Sequence, residues 1–206
     1  IPFFEPGLDE LVGDVVKSKK LSFVLGASNA SGNAEFHFLC LPTPANTDGS
    51  SDLSYFEEGI NEILTVLQPN SIVINKSTVP LGTANRLQEA IARTDVHVVS
   101  NPEFLSEGNA IRDFLQPSRI VIGSNSREHS KRVTKLYSKL NAPILMSSWE
   151  SAELIKHTAN AFLAMKLTFV NEIATLCEMT GANIKDVTDG IGYDPRIGSD
   201  YMNAGP

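Results

Sequence analysis

Two short stretches carry side chains that could move a proton and hold a charge. The first is SNPEFLSEG (100–108), where Glu103 and Glu107 stand four residues apart with Phe104 and Leu105 between them. The second holds Lys156 and Asn160, whose i, i+4 spacing puts both on one face of a helix. Carboxylates and an ammonium are groups that proton transfer and charge stabilisation require. Each also has a plain alternative: glutamates at a helix start are favourable with the helix dipole, and a lysine on a helix is ordinarily solvated. A third stretch, NKSTVPLGT (75–83), offers the hydroxyls of Ser77 and Thr78 just ahead of a proline-stiffened turn. Thr83 there reads as a helix N-cap, while Thr78 stands open between structure and ligand contact. In LPTP (41–44) two prolines hold a turn from which the Thr43 hydroxyl faces a crevice. Cys40 and Cys177 lie far apart, and with the four histidines they assemble no metal-ligand spacing.

The elements that must position these groups follow from periodicity. Apolar runs recur as LSFVL (21–25), FHFLCL (36–41), SIVINKS (71–77), VHVVS (96–100), RIVIG (119–123) and PILMS (143–147). Several are apolar at consecutive positions, as in strands buried on both faces of a parallel sheet. Helical patterns lie between them: one entered at Asp52 with apolar Phe56, Ile60, Ile63, Leu64 and Leu67, then 82–93 and 126–140. Alternation of this kind predicts an α/β, doubly wound, mostly parallel sheet. The glutamates of NPEFLSEG then fall at the carboxyl edge of a strand, where ligands sit in open sheets. GASNASGN (26–33) favours a loop or a poor helix. From Glu150 to Met179 no proline or glycine interrupts a helical pattern, which predicts a connector more than 40 Å long at about 1.5 Å per residue. A short helix over 183–190 and a Gly/Pro-rich tail follow. The division expected is a sheet domain over 1–148 and a helical segment over 149–206.

Composition narrows the function classes. The 206 residues are 42% hydrophobic and 20% charged with a net charge of −7, and no basic block is present to neutralise phosphates. That argues against a nucleic-acid partner. No apolar run approaches the ~20 residues of a membrane span, and no signal-peptide pattern opens the chain. A cytoplasmic protein with free thiols is the expectation, which leaves the Asn29-Ala30-Ser31 sequon without meaning. Neither G-x-G-x-x-G nor G-x-x-x-x-G-K-[ST] occurs; the nearest candidate, Gly26 to Gly32, has the wrong spacing.

Taken together, IPFFEPGLDEL (1–11), LPTP, NKSTVPLGT, SNPEFLSEGNAIRDF (100–114), PSRIVIG (117–123), ELIKHTANAFLAMKLTFVNEIA (153–174) and GYDPRIGSDYMNAGP (192–206) resemble the UDP-glucose/GDP-mannose dehydrogenase family. The likeness is to its UDP-glucose 6-dehydrogenase branch, with NAD-dependent enzymes for UDP-N-acetylmannosamine and GDP-mannose as the alternatives. The resemblance implies a Rossmann-like domain, NAD as cofactor, and oxidation of the C6 alcohol of UDP-glucose to UDP-glucuronate by two hydride transfers. It implies that a G-x-G-x-x-G unit precedes this chain and that a catalytic-cysteine loop follows it, so that the chain alone is an inactive nucleotide-binding and dimerisation module.

The same resemblance assigns roles. Lys156 and Asn160 would stabilise the C6 oxyanion, and Thr78 and Glu103 would handle proton transfer, Glu103 activating the water that cleaves a cysteine thioester. Thr43, Ser77, Thr78 and Glu107 would contact the cofactor. Thr43 stands in for a family threonine replaced here by Leu41. Glu103, Phe104, Leu105, Glu107, Lys156, Asn160, Arg196 and Tyr201 would contact substrate, Arg196 from the other subunit of a homodimer.

Overall fold

Five of the six apolar runs become strands of one sheet: β1 (Phe36–Leu39), β2 (Ile72–Asn75), β3 (His97–Ser100), β4 (Ile120–Gly123) and β5 (Ile144–Ser147), in that spatial order. The computed structural model describes residues 4–30 and 32–205. Ile1–Phe3 of the opening motif, Ser31 of the sequon and Pro206 of the tail lie outside them. β1, β2 and β3 run parallel, β4 and β5 run parallel, and the two groups meet antiparallel where Ser100 pairs with Gly123. The sheet is thus mostly parallel, as its apolar runs predict, and Rossmann-like, as the resemblance implies.

The consecutive apolar residues have the physical reason expected of them. Val73 and Val98 face one side, with Phe56 and Ile60 of α2 (Ser54–Leu64) and Leu87 and Ile91 of α3 (Thr83–Ile91). Ile72, Ile74 and Val99 face the other, with Val133 of α5 (Arg127–Leu136). Alternate side chains of one strand therefore enter two cores, and each fully buried Val or Ile contributes about 1.5–3 kcal/mol. Asp52 steadies the entry to α2 by accepting the Ser54 amide at 2.9 Å.

LSFVL is not a strand. Residues 21–25 join no ladder, and Phe23 and Leu25 are 75% and 92% exposed. A strand needs a neighbour for its amides and carbonyls, and none among the described residues pairs with this run. Among its described residues, GASNASGN holds a 3₁₀ turn at Ala27–Asn29. One helix was not foreseen, α1 (Leu8–Lys17), which enters after Gly7 at φ 80°; the short α4 (Ala110–Leu115) follows the glutamates of NPEFLSEG.

α6 spans Trp149–Thr180 without a break and ends at Gly181, whose φ of 78° suits a helix terminus. Its first turn is fixed to the sheet, since buried Trp149 donates from Nε1 to the Val98 carbonyl at 3.0 Å. Gly123 permits that approach: a Cβ there would lie 2.5 Å from Ala152 Cβ and 2.7 Å from the Ser148 carbonyl oxygen. The chain packs as two compact units, Ile1–Lys156 and His157–Pro206, whose boundary lies within α6. The second unit holds most of α6 and α7 (Ile184–Gly192), which Asn183 caps by accepting the Lys185 amide at 2.9 Å.

Candidate functional site

The carboxyl ends of β2 and β3 and the first two turns of α6 enclose one small cavity. Asn75, Ser77, Thr78, Ser100, Glu153 and Lys156 line it. Glu153 and Lys156 are three residues apart on α6 and so share a face, and both are buried. Lys156 Nζ donates to Glu103 Oε1 at 2.8 Å, and the second oxygen of Glu103 accepts the Leu105 amide at 2.6 Å. The buried ammonium thus faces a carboxylate that is itself held by its own loop. Phe104 lies between two cations, with the Arg119 guanidinium carbon 3.8 Å and Lys156 Nζ 5.4 Å from its ring centroid. Both distances suit attraction to the face of the ring.

Each loop is tied to its neighbours. Thr43 Oγ1 donates to the Thr78 carbonyl at 2.7 Å, and Ser77 Oγ bridges the Leu41 amide and carbonyl at 2.8 and 2.7 Å. These hydroxyls knit the loops after β1 and β2 into one wall. Thr83 is not the N-cap of α3. Gly82, with φ 83°, holds that position, and Thr83 donates to the Pro80 carbonyl. The capping acceptor comes from α6: the two oxygens of Glu153 take the Gly82 amide at 2.6 Å and the Ala84 amide at 2.8 Å. Burial pushes the Glu153 carboxyl above its usual range, and these two amides oppose the shift.

A carboxylate fixes the NPEFLSEG loop in the same manner. Glu5 of the EPGL motif accepts the Gly108 amide at 3.0 Å and the Ala110 amide at 2.7 Å, at the entry to α4. Behind the loop, Asn101 donates to the Val121 carbonyl at 2.8 Å and accepts from Lys76 and from the buried Tyr137 hydroxyl. Burial lowers the Lys76 ammonium below its ordinary range; Glu103 partly offsets this and Lys156 adds to it. Burial likewise pushes the Tyr137 phenol up to about 12.

The structure therefore brings together Glu103, Lys156, Phe104, Thr78 and Ser77, all in the first unit. Leu105 and Glu107 are exposed on the loop. Asn160, Arg196 and Tyr201 belong to the second unit: Asn160 lies exposed four residues beyond Lys156 on α6, and Tyr201 has φ 61°. Arg196 is bound to Asp194 at 2.6 Å, and this hydrogen bonding holds the Asp194 carboxyl below its usual range. Sequence reasoning missed Lys76, Asn101, Arg119, Glu153 and Glu5. Only Glu5 and Glu153 had a signal, as carboxylates within conspicuous motifs, and nothing local marks what they bind.

Residues 1–141 match the UDP-glucose/GDP-mannose dehydrogenase family NAD binding domain, and residues 150–206 match the central domain of the same family. The chain belongs to this family. It is 47% identical to the UDP-glucose 6-dehydrogenase of Rhizobium meliloti (strain 1021), a match covering 100% of this chain and 49% of that protein. A UDP-glucose dehydrogenase structure from Pyrobaculum islandicum superposes with a TM-score of 0.92 at 36% identity, covering 99% of this chain and 49% of the other. A ternary complex of GDP-mannose dehydrogenase from Pseudomonas aeruginosa gives 0.89 at 31% identity, covering 98% and 49%. The chain spans about half the length of the curated relatives it matches.

The cofactor of the matched domain family is NAD. The crest of β1–β3 is the ligand position of such sheets, and the Thr43–Thr78 bond ties two of its loops into one wall. No G-x-G-x-x-G turn occurs among these 206 residues. No helix among the described residues is long and apolar enough to cross a membrane.

Proposed function

We propose that the protein of which this chain is part oxidises the C6 alcohol of UDP-glucose to UDP-glucuronate in two steps, NAD⁺ taking the hydrides. The carrying observation is the 2.8 Å pair of buried Lys156 and Glu103 at the carboxyl edge of the sheet. An ammonium withdrawn from water attracts a developing oxyanion more strongly than a solvated one does. Glu103 holds that ammonium in place until an alkoxide competes for it. Once released, the carboxylate can take a proton from the attacking water. Thr78 lines the same cavity and serves the proton path, while Thr43, Ser77 and Glu107 attend the cofactor. Phe104 and Leu105 form the apolar side of the sugar-nucleotide site, and Asn160 shares the oxyanion with Lys156. Arg196 and Tyr201 contact substrate, Arg196 from the other subunit. Phe162, Met165, Phe169, Leu176 and Met179 are exposed along α6, which supports a homodimer built on this helix.

NADH formation by the full-length protein tests the reading, with UDP-glucose, UDP-N-acetylmannosamine and GDP-mannose assayed side by side. The EPGLDEL and DPRIG wording favours UDP-glucose; turnover confined to either other sugar nucleotide refutes that choice. Turnover of none leaves a binding and dimerisation module. Lys156→Ala is expected to cut kcat by at least about 10²-fold with a modest effect on NAD binding, and near-normal turnover removes the oxyanion role.

A further inference from the structure

Ser100 is the last residue of β3, 1% exposed, and its hydroxyl has no hydrogen-bond partner among the described residues. It opens into the cavity beneath Lys156, whose volume is about 10 Å³. That is room for one water, which needs roughly 10–15 Å³ and two to four polar partners. The walls provide them. Ser100 Oγ can donate one hydrogen bond and accept two. Glu153 has used one lone pair on each oxygen for the Gly82 and Ala84 amides, and a carboxylate offers about four. Lys156 carries three donors, of which Glu103 takes one. An apolar cavity of this size would stay dry; one with a buried orphan hydroxyl, a carboxylate and an ammonium in its walls would not.

We propose that this cavity is a water site, in which a single ordered water joins Ser100 Oγ, a Glu153 oxygen and Lys156 Nζ, making Ser100 and Glu153 positioning residues for the ammonium. Glu103 holds Lys156 from the loop side and the water holds it from the helix and sheet side. The ammonium is thereby aimed from two directions, and Glu153 links its placement to the loop carrying Thr78. Burial raises the proton affinity of Glu153, so a hydrogen bond donated by the water would also help to keep it ionised. The positioning role rests on the proposed dehydrogenase reading; occupancy of the site does not.

A high-resolution crystal structure of the protein tests occupancy without turnover. The expected result is one density peak within about 2.6–3.2 Å of Ser100 Oγ, Glu153 and Lys156. A dry cavity, or a water bound to neither Glu153 nor Lys156, overturns the proposal. Ser100→Val is expected to expel the water, lower kcat on the order of tenfold and shift the pH profile of kcat, with KM for NAD little changed. Unchanged kcat and pH profile in a variant shown to lack the water overturn the positioning role. If Ser100→Val does not fold, Ser100→Ala is read in the same assays, and the wild-type density decides occupancy. Water density in a protein that turns over no sugar nucleotide would separate failure of the dehydrogenase reading from failure of this one.

Discussion

Neutralising Glu103 is expected to weaken the fold more than neutralising Lys156, although the two form one ion pair. The side chain of Lys156 keeps 8% of its surface in water and that of Glu103 keeps 33%. Glu103→Gln leaves an ammonium almost withdrawn from solvent without its anion, and puts an NH2 donor in place of one of the two oxygens that accept from Lys156 and the Leu105 amide. Removing one member of a fully buried pair costs about 3–5 kcal/mol, whereas exposed pairs are worth about 0–1 kcal/mol. With water reaching a third of the glutamate, the loss falls between these, at about 2 kcal/mol. For a chain of this size that lowers Tm by roughly 4–8 °C. Lys156→Met removes the charge together with its desolvation cost and keeps an apolar stem. Glu103 then turns to water while retaining the Leu105 amide, and Phe104 retains Arg119 at 3.8 Å. The expected change is within about 1 kcal/mol. Thermal unfolding of both variants beside the wild type measures the asymmetry. A larger Tm loss in Lys156→Met than in Glu103→Gln would refute the reasoning, because the lysine's charge would then be a net gain to the fold.

Other perturbations bear on the frame around this pair. Gly123→Ala drives a Cβ to within 2.5 Å of Ala152 and 2.7 Å of a backbone oxygen, and is expected to cost about 1–3 kcal/mol in urea unfolding. Glu5→Ala strips the acceptor from the Gly108 and Ala110 amides; a loss of about 0.5–2 kcal/mol and faster proteolysis within 103–109 are expected, read by unfolding and limited digestion. His97 and His129 stack with ring centroids 3.5 Å apart, and burial lowers both below their usual range; Arg132 adds to this, while Glu128 and, for His97, Asp95 oppose it. A depressed folded pKa means stability present above the unfolded value near 6.5 and lost as pH falls through the folded values. Tm should therefore drop on acidification below about pH 6.5, and less steeply in His129→Asn.

The layered core was legible because β2 places Ile72, Val73 and Ile74 in two opposite cores, and such a strand must be apolar at every position. α6 was legible because nothing in Glu150–Met179 interrupts it. LSFVL misled for the converse reason: a run of strand-forming side chains carries no information about whether a neighbouring backbone is present to pair with it. α1 was not expected, although Leu8, Leu11, Val12 and Val15 follow helical spacing: it is short, Gly13 interrupts it, and no side chain caps its start. Within the site, Glu103 and Lys156 could be named from motifs. Their 2.8 Å contact joins residues 53 apart in sequence, and no local pattern encodes such a pairing.

The two anchoring glutamates sharpen that point. Glu5 reaches 103 residues along the chain to Gly108, and Glu153 reaches back 71 residues to Gly82. Each takes a glycine amide and the amide two residues later, and each glycine is left-handed, at φ 79° and 83°. A side chain at either position would be strained, so glycine lets both amides turn toward one carboxylate. Through these bonds the two glutamates set where the Glu103 loop and the Thr78 loop stand. The placement of the candidate base and of its hydroxyl neighbour is thus decided by carboxylates on α6 and ahead of α1. It follows that substitutions at Glu5 should act on the site without touching ligand: Glu5→Gln, which keeps one acceptor oxygen, should retain more activity than Glu5→Ala in the full-length protein. Equal losses in the two variants would show that the hydrogen bonds to Gly108 and Ala110 do not carry the effect.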